Sequence, residues 1–335
     1  MSLRDRLVRQ IQAKGTLSVA DYMTLCLHDP VDGYYATCPR LGEGGDFLTA
    51  PHISQMFGEL IGLWVAQAWT DLGSPGRFVL VELGPGEGLL IGDMLRALRV
   101  APHCLAAAEL WLVESSAALR ERQAAVLAPG LASWANDLAE VPADLPTIIV
   151  ANEFLDCLPI RQWISDGAGI TERRIGLSPA GDLVFLPDRA GDILESSEAL
   201  VQLGAAVGRR LASHGGAALF IDYGRDAPGP GDTLQALRRH VREHPLASPG
   251  EADLTAHVDF PAFLAATGTP HELTSQGEFL RKLGIEARAA ALVRARADQA
   301  AILERQCDRL IAPDAMGLLF KVANLRAQPP AMRSA

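Results

Sequence analysis

Four short apolar runs alternate with helical patterns in the middle of the chain. The runs are FVLVEL, ELWLVE, TIIVANEF and AALFIDYG, and apolar residues at helical spacing follow the first two, from Leu89 and from Ala117. Continuous apolar strands that alternate with helices are typical of a parallel sheet that helices cover on both faces. The pattern therefore predicts an α/β protein with a doubly wound, Rossmann-like sheet.

The segments on either side of this core have other patterns. Apolar residues at helical spacing in MSLRDRLVRQIQAKG and ISQMFGELIGLWVAQAW, together with the glycine-rich run LGEGGDF, predict a segment of helices and loops over residues 1–75. Residues 76–225 form the predicted core, with an insertion near 160–213 in which antiparallel strands precede a helix. We expect residues 226–335 to add substrate-binding elements and a C-terminal strand that completes the sheet.

The C-terminal region contains three recognisable patterns. Residues 233–275 are rich in histidine and proline and are predicted to be irregular, whereas the alanine-rich residues 286–311 are predicted to be helical. The run GLLFKVANL is predicted to be the last strand.

The overall composition limits the classes of partner. The 335 residues are 49% hydrophobic and include 30 basic and 40 acidic side chains, so the formal net charge is −10. This charge repels the nucleic-acid backbone and anionic membranes and tolerates cationic partners. No apolar run reaches the ~18 residues of a membrane-spanning helix, and the N-terminus lacks the apolar stretch of a secretory signal. We therefore expect a soluble, cytoplasmic protein that does not bind nucleic acid.

The cysteines do not form a pattern typical of a metal site or a disulfide framework. They are odd in number and lack paired CxxC spacing: Cys26, Cys38, Cys104, Cys157 and Cys307. We expect a reducing compartment and no structural metal.

The run VELGPGEGLL, from Val81 to Leu90, is the strongest local signal for a ligand site. A dinucleotide-binding turn with the spacing G-x-G-x-x-G would need glycine at position 89, and a P-loop would need lysine and a hydroxyl residue after Gly88. The remaining pattern, acid-x-G-x-G-x-G between a strand and a helix, is the form that S-adenosylmethionine-binding sheets use. Gly84, Gly86 and Gly88 let the backbone approach the ligand, and free N–H groups at the helix start favour its carboxylate. The alternative is a turn that serves only the packing of strand on helix.

Three acidic residues lie where this cofactor needs them. Glu82, at the end of the first strand, can accept a hydrogen bond from the ammonium group of the ligand. Glu114, at the end of the next strand, can accept from both ribose hydroxyls, and Asp137 can accept from the adenine amino group. The alternatives are a solvated acid for Glu114 and a loop cap for Asp137. The occurrence of the three acids on successive strands favours S-adenosylmethionine as the cofactor.

Polar residues follow the fourth strand in VANEFLDCLPIRQW. The carboxyl ends of the strands face the ligand crevice in an open α/β sheet, so Asn152, Glu153 and Asp156 are predicted catalytic residues. The Pro-Pro-aromatic pattern of methyltransferases that act on nucleobase nitrogens is absent at this position. Two carboxylates suit a cationic, bidentate group such as a guanidinium, and Glu153 or His257 can accept the proton that the product nitrogen loses. The alternatives are that the two acids brace the turn and that His257 is a solvated loop residue.

The chain resembles the MidA-like proteins over nearly its whole length. The resemblance is carried by GDFLTAPHISQMFGE (45–59), VELGPGEG (81–88), ANEFLDCLPIRQW (151–163), IDYG (221–224), GEADLTAHVDF (250–260), TSQGEFLRKLGI (274–285) and MGLLFKVANL (316–325). It implies a protein arginine methyltransferase that uses S-adenosylmethionine, symmetrically dimethylates an arginine of a respiratory complex I subunit and assists assembly of that complex. For a eukaryotic protein it implies the mitochondrial matrix.

The resemblance also assigns residues, and the sequence departs from the family pattern at two other positions. The residues that match the family's cofactor loop and its NEF-x-D motif are Gly84, Gly86, Gly88, Asn152, Glu153 and Asp156. The family usually has arginine where this chain has Glu87, and glutamate where this chain has His52. Glu87 affects how the ligand carboxylate is neutralised, and His52 affects the shape of the substrate cleft.

Three functions are compatible with these patterns. The first is a protein arginine methyltransferase. The second is a small-molecule methyltransferase with the same cofactor site, and the third is an assembly chaperone that binds cofactor and partner without turnover. The oligomeric state is left open.

Overall fold

The structure, a computed structural model, describes residues 1–37, 49–167 and 169–328, so Cys38 and the predicted glycine-rich loop LGEGGDF lie outside the described residues. The helices in these ranges are α1 (Leu3–Lys14), α2 (Val19–His28), α3 (Tyr34–Thr37), α4 (Ala50–Ile53), α5 (Gln55–Asp71), α6 (Leu89–Ala97), α7 (Pro102–Ala107), α8 (Ala117–Val126), α9 (Glu198–His214), α10 (Phe260–Thr267), α11 (Gln276–Lys282), α12 (Ile285–Ala295) and α13 (Ala300–Ile311). The strands are β1 (Leu17–Ser18), β2 (Phe78–Leu83), β3 (Ala108–Val113), β4 (Ala132–Ala135), β5 (Thr147–Asn152), β6 (Arg161–Ser165), β7 (Ile170–Leu177), β8 (Leu183–Leu186), β9 (Asp192–Ser196), β10 (Gly216–Arg225), β11 (Gln235–Arg238), β12 (Val241–Glu243), β13 (Asp253–Thr255), β14 (Val258–Asp259), β15 (His271–Ser275) and β16 (Phe320–Ala327).

The main sheet has the strand order β15-β16-β10-β5-β2-β3-β4. The strands from β10 to β4 are parallel, and β16 runs antiparallel to both of its neighbours. From β2 the chain moves outward through β3 and β4 and then returns to the other side of β2 with β5 and β10. The predicted doubly wound α/β sheet is therefore confirmed, and the strand order reverses between β2 and β5, where such sheets bind ligands.

Apolar side chains cover both faces of this sheet, which explains the continuous apolar runs. In β2, Leu80 packs toward α5, α6, α12 and α13, whereas Val79 and Val81 pack toward α9 and α10. Each of these side chains is fully buried, which contributes about 1.5–3 kcal/mol per residue. Helices α9 and α10 approach closely at Gly208, where an added Cβ would lie 1.8 Å from the carbonyl oxygen of Thr267. The two faces thus hold the strand ends in fixed positions.

A second layer combines the N-terminal segment with the insertion. Its sheet has the order β1-β7-β6-β9, with β8 beside β7, and β1 pairs with β7 through Leu17 and Ile175. The guanidinium of Arg6 donates to Asp29 at 2.8 Å and ties α1 to the end of α2. The antiparallel strands expected in the insertion are present, and the N-terminal helices pack against them.

The C-terminal region is more regular than its sequence pattern suggests. The prediction that 233–275 is irregular is wrong, because β11, β12 and β13 form a small antiparallel sheet there and α10 and β15 follow. Strands of three or four residues are too short to show a hydrophobic alternation. The predicted helix over 286–311 is divided by a turn at 296–299, where the sequence contains neither proline nor glycine. No helix in the described ranges is long and apolar enough to cross a membrane.

Candidate active site

A cleft of about 590 Å³ opens at the carboxyl edge of the main sheet. Its floor is formed by the ends of β2 and β5, the two strands between which the order of the sheet reverses. Residues of α4 and α9 form parts of its walls, including His52 from α4 and Leu203 from α9. The cleft therefore lies where an open α/β sheet binds its ligand.

The glycine-rich run forms a tight turn between β2 and α6. Gly84, Gly86 and Gly88 have φ values of 62°, 54° and 83°, in the left-handed region that side chains rarely adopt. A Cβ on Gly84 would also lie 2.6 Å from the ring of Phe154. Gly84 and Gly86 line the cleft, whereas Gly88 is the residue that precedes α6. The turn brings bare backbone to the cleft wall, as the sequence predicts.

Glu82 lies at the base of the cleft and is almost completely buried. Its Oε2 has no hydrogen-bond partner among the described residues. Burial raises the pKa of this carboxyl group to about 8. A buried, unpartnered carboxyl oxygen is costly unless a ligand donor reaches it, so this position fits the ammonium group of the predicted cofactor.

Glu114 and Asp137 line the cleft beyond the glycine turn. Glu114 accepts from the backbone N–H of Ser116 at 2.8 Å and from Nε2 of Gln123 at 3.3 Å. Burial raises the pKa of Glu114, although these two donors oppose the rise. Asp137 accepts from the N–H of Ala139 at 2.8 Å and so caps a short helical turn while it faces the cleft.

Asn152 and Glu153 line the cleft where β5 ends. Glu153 has a φ of 51°, which is uncommon for a residue with a side chain and indicates local backbone strain. Its Oε1 accepts from the N–H of Ala50 and from Nδ2 of Asn152, both at 3.0 Å, while Oε2 accepts no hydrogen bond among the described residues. Burial raises the pKa of Glu153 to about 8. The Oδ1 atom of Asn152 is buried and has no partner in the described part of the chain.

Asp156 and His257 are not among the residues that line this cleft. The buried carboxyl group of Asp156 accepts from the hydroxyl of Tyr223, and its pKa is raised to about 6 by burial. The ring of His257 packs edge-on against Tyr223, with 5.7 Å between the ring centroids. Asp156 and His257 both line a second, smaller hollow next to the turn that follows β5. Asp156 and His257 therefore lie outside the cleft that Asn152 and Glu153 line.

The sequence profile of the S-adenosyl-L-methionine-dependent methyltransferase family matches residues 60–279, which is more than half of the chain. The chain belongs to this family. The protein arginine methyltransferase NDUFAF7, mitochondrial, of Danio rerio is 33% identical over 363 residues, which cover 96% of this chain and 86% of the relative. The protein of the same name from Mus musculus is 35% identical, with 94% and 82% covered. The homolog from Caenorhabditis elegans is 32% identical, with 95% and 85% covered.

Solved structures agree with this methyltransferase family. A crystal structure from Burkholderia thailandensis, bound to S-adenosyl-homocysteine, is 28% identical with a TM-score of 0.83 and covers 98% of this chain and 92% of that chain. A native structure from the same organism is 29% identical with a TM-score of 0.84 and the same coverage. The predicted cofactor, S-adenosylmethionine, is confirmed by membership of this S-adenosyl-L-methionine-dependent family.

The residues of the cleft fit this cofactor. The unpartnered Oε2 of Glu82 can accept from its ammonium group, and the bare turn at Gly84 and Gly86 leaves room for its methionine portion. Farther along the cleft, Leu138 and the α9 residue Leu203 provide apolar surface for a flat ring. Arg210 of α9 donates to the carbonyl oxygens of Leu138, Val141 and Pro142. These hydrogen bonds connect residues 138–142 to α9.

The two departures from the family pattern lie next to each other. Nε2 of His52 is 3.8 Å from Oε2 of Glu87, and Nη1 of Arg122 donates to the other carboxyl oxygen at 2.9 Å. Nδ1 of His52 lies 2.7 Å from the hydroxyl of Thr49. Glu87 therefore does not face the cofactor as an isolated negative charge, since the basic group at this position comes from α8 instead of the turn.

Three further residues hold the site in place: Gln123 and Tyr35 carry no local sequence signal, whereas Asp222 lies in the IDYG motif. Gln123 bonds to the glycine turn and to Glu114, and the hydroxyl of Tyr35 bonds to Cys157 in the cleft wall. The carboxylate of Asp222 accepts from three successive backbone N–H groups, at residues 154–156, and thereby holds the β5 turn. These residues act through partners that are distant in sequence.

The candidate metal ligands among the described residues are His, Cys, Asp and Glu side chains. No group of three or more His, Cys, Asp and Glu side chains within residues 1–37, 49–167 and 169–328 could hold a metal ion. The described cysteines, Cys26, Cys104, Cys157 and Cys307, are buried and unpaired.

Proposed function

We propose that this chain is a protein arginine N-methyltransferase, in which Glu153 and Asn152 bind the acceptor guanidinium. The observation that carries the proposal is the charge of the cleft. Five acidic residues line it, and none of its described lining residues is lysine or arginine: Glu82, Glu87, Glu114, Asp137 and Glu153. A lining that offers carboxyl groups and no basic side chain favours cationic ligands, because a buried carboxyl group can ionise when a cation binds beside it. The cofactor and a guanidinium both carry positive charge.

The acceptor position is inferred from unpartnered oxygens at the end of β5. Oε2 of Glu153 and Oδ1 of Asn152 accept no hydrogen bond among the described residues. A guanidinium offers five N–H donors in a plane and can serve two such acceptors at once. Neighbouring oxygens without donors of their own thus match an N–H-rich cation better than a neutral hydroxyl or thiol.

Glu153 can act at two stages of methyl transfer: it can bind the acceptor beforehand and accept a proton afterwards. S-adenosylmethionine supplies an electrophilic methyl group, so the protein contributes mainly alignment and exclusion of water. In the free cleft the pKa of Glu153 is about 8, and a guanidinium beside it would favour the ionised form. After transfer the product nitrogen must lose a proton, which a carboxylate with a raised pKa is suited to accept.

The finer assignments are supported by the resemblance to the MidA-like proteins, and the names of the relatives support an arginine acceptor. The names of the similar proteins from Danio rerio and Mus musculus describe mitochondrial protein arginine methyltransferases. We propose that the acceptor is an arginine of a respiratory complex I subunit, that it is dimethylated symmetrically and that the modification assists assembly. Mass spectrometry of complex I from cells with and without this protein tests the proposal. An unchanged arginine methylation pattern would refute the complex I assignment.

Replacement of Glu153 by glutamine tests the role of the acceptor carboxylate. The amide keeps an oxygen that can accept from the N–H of Ala50 and from Nδ2 of Asn152, so these two hydrogen bonds are preserved while the charge is lost. We expect unchanged affinity for S-adenosylhomocysteine and a fall in single-turnover transfer of roughly 100-fold or more, as for loss of one preorganised charge at a reacting centre. The acceptor is protein extract from cells that lack the gene, with labelled cofactor as the donor.

Asp156→Asn provides the matched control, since Asp156 is a buried acid of the same turn that lies outside the cleft. We expect it to lower transfer much less than Glu153→Gln. Full activity of Glu153→Gln would favour a neutral small-molecule acceptor, and cofactor binding without any transfer by the wild-type protein would favour a chaperone. Loss of cofactor binding together with transfer would show that Glu153 braces the cleft.

A further inference from the structure

Gln123 occupies an unusual position for a polar side chain. It lies in the second half of α8 and is completely buried, and its Cα is 3.4 Å from where a Cβ on Gly88 would lie. A buried amide is most stable when both of its ends have partners, because an unsatisfied polar group in the interior is destabilising. Gln123 finds them in Trp134 of β4, in Glu114 directly after β3 and in the glycine turn.

The orientation of this amide is fixed by Trp134. Nε1 of Trp134 donates to Oε1 of Gln123 at 2.8 Å. An indole N–H can only donate, so the oxygen of the amide has to face Trp134 and the nitrogen has to face the opposite way. The hydrogen bonds therefore all point the same way: Trp134 of β4 donates to Gln123 of α8, and Gln123 donates toward the cleft.

The nitrogen of the same amide reaches two parts of the cofactor site. Nε2 of Gln123 donates to the carbonyl oxygen of Gly86 at 2.8 Å and to Oε2 of Glu114 at 3.3 Å. Because a trans peptide directs its C=O and N–H to opposite sides, holding the Gly86 carbonyl also fixes the N–H of Glu87 away from Gln123. One side chain thus sets the orientation of the turn and of the carboxylate together.

We propose that Gln123 is a positioning residue that couples the glycine turn to the carboxylate of Glu114, so that recognition of the cofactor ribose depends on this buried amide. The inference rests on the proposed assignment of Glu114 to the ribose hydroxyls. Without the amide, Oε2 of Glu114 loses a hydrogen-bond donor. The carboxylate is then held at Oε1, by the N–H of Ser116, and can change its orientation. A residue that only filled space would not link affinity to a particular part of the ligand.

The test uses Gln123→Met, which is similar in size and cannot form these hydrogen bonds. Dissociation constants are measured by calorimetry for S-adenosylhomocysteine and for its 2′-deoxy and 3′-deoxy analogues, with denaturation midpoints for each variant. We expect affinity for S-adenosylhomocysteine to fall about tenfold or more, the scale of a lost hydrogen bond to a charged group, and affinity for the deoxy analogues to fall less. The preference of the protein for the complete ribose should shrink accordingly.

Gln276→Met is the matched control. Gln276 is equally buried and its Nε2 donates to the carbonyl oxygen of Leu310 at 2.8 Å, but it does not line the cleft. This variant should lose stability without any change in affinity for the ligands. Trp134→Phe serves as a second variant if Gln123→Met does not fold, since it keeps Gln123 and releases its orientation. We expect it to reduce the preference for the complete ribose as well.

Two results would overturn the inference. Gln123→Met and Trp134→Phe could bind S-adenosylhomocysteine as the wild type does, or they could lose affinity equally for the complete and the deoxy ligands. The second pattern would assign Gln123 to general packing. A wild-type protein that binds the deoxy analogues as tightly as S-adenosylhomocysteine would instead remove Glu114 from the ribose site, and the inference would fall with that assignment while the role of Glu153 would stand.

Discussion

Replacing Glu82 by glutamine should change both the pH dependence of stability and the proton balance of cofactor binding. Burial raises the pKa of Glu82 from 4.5 to about 8, a difference of 8 − 4.5 that corresponds to about 5 kcal/mol. The folded protein holds this proton more tightly than the unfolded chain. Stability is therefore highest below pH 4.5, falls as the pH rises toward 8 and is constant with respect to this group above 8.

Glutamine has a similar shape and does not titrate in this range. At pH 7 the interval from 4.5 corresponds to about 3 kcal/mol, so Glu82→Gln should be more stable than the wild type by up to about that amount at pH 7 and equally stable near pH 4. Urea denaturation at both pH values measures the difference. A difference of the same size at the two pH values would show that Glu82 is ionised in the free cleft.

Cofactor binding gives the second measurement on the same variant. At pH 7 a group with a pKa of about 8 is mostly protonated, and an ammonium group beside it would cause release of most of a proton per site. Calorimetry with S-adenosylhomocysteine in buffers of different ionisation enthalpy measures this release. Glu82→Gln should abolish it and weaken binding by about 1.5–3 kcal/mol. Binding enthalpies that respond to the buffer equally in both proteins would refute the contact.

Two other substitutions probe the cofactor site. Gly86→Val should abolish binding of S-adenosylhomocysteine in calorimetry at millimolar ligand, because a branched side chain is strained at a φ of 54° and occupies the space of the ligand. Binding by this variant would contradict the assignment of the turn. Glu114→Ala should weaken cofactor binding by about 1–3 kcal/mol without lowering the denaturation midpoint greatly, and unchanged affinity would remove Glu114 from the site.

The sheet and the cofactor turn could be predicted because their signals are local. An apolar run such as FVLVEL coincides with β2, and the glycines that follow it adopt the left-handed conformations that the turn requires. Glu82 and Glu114 lie at strand ends, and the carboxyl ends of parallel strands meet at one edge. Sequence spacing therefore places these acids together without knowledge of the rest of the fold.

The position of the Asp156 side chain, outside the cleft, could not be predicted in the same way. Glu153 and Asp156 are three positions apart, but Glu153 has a left-handed backbone conformation, and the N–H groups of residues 154–156 donate to the carboxylate of Asp222. The direction of Asp156 is decided by Asp222 and Tyr223, which are more than sixty positions away in the sequence. Gln123 was missed for the same reason, since its partners Trp134 and Gly86 lie on other elements.

The electrostatic state of the cleft connects the two ligand positions. Glu82 and Glu153 both have a pKa of about 8 when the cleft holds protein alone, so at neutral pH both are mainly neutral. A buried carboxyl group ionises when a cation binds beside it, because attraction between the carboxylate and the cation offsets the hydration that the carboxylate loses on burial. Each ligand would thus create its own counter-ion on binding, Glu82 for the cofactor and Glu153 for the acceptor. A neutral ligand would gain nothing from this ionisation, which makes the same burial that destabilises the free protein a source of selectivity for cations.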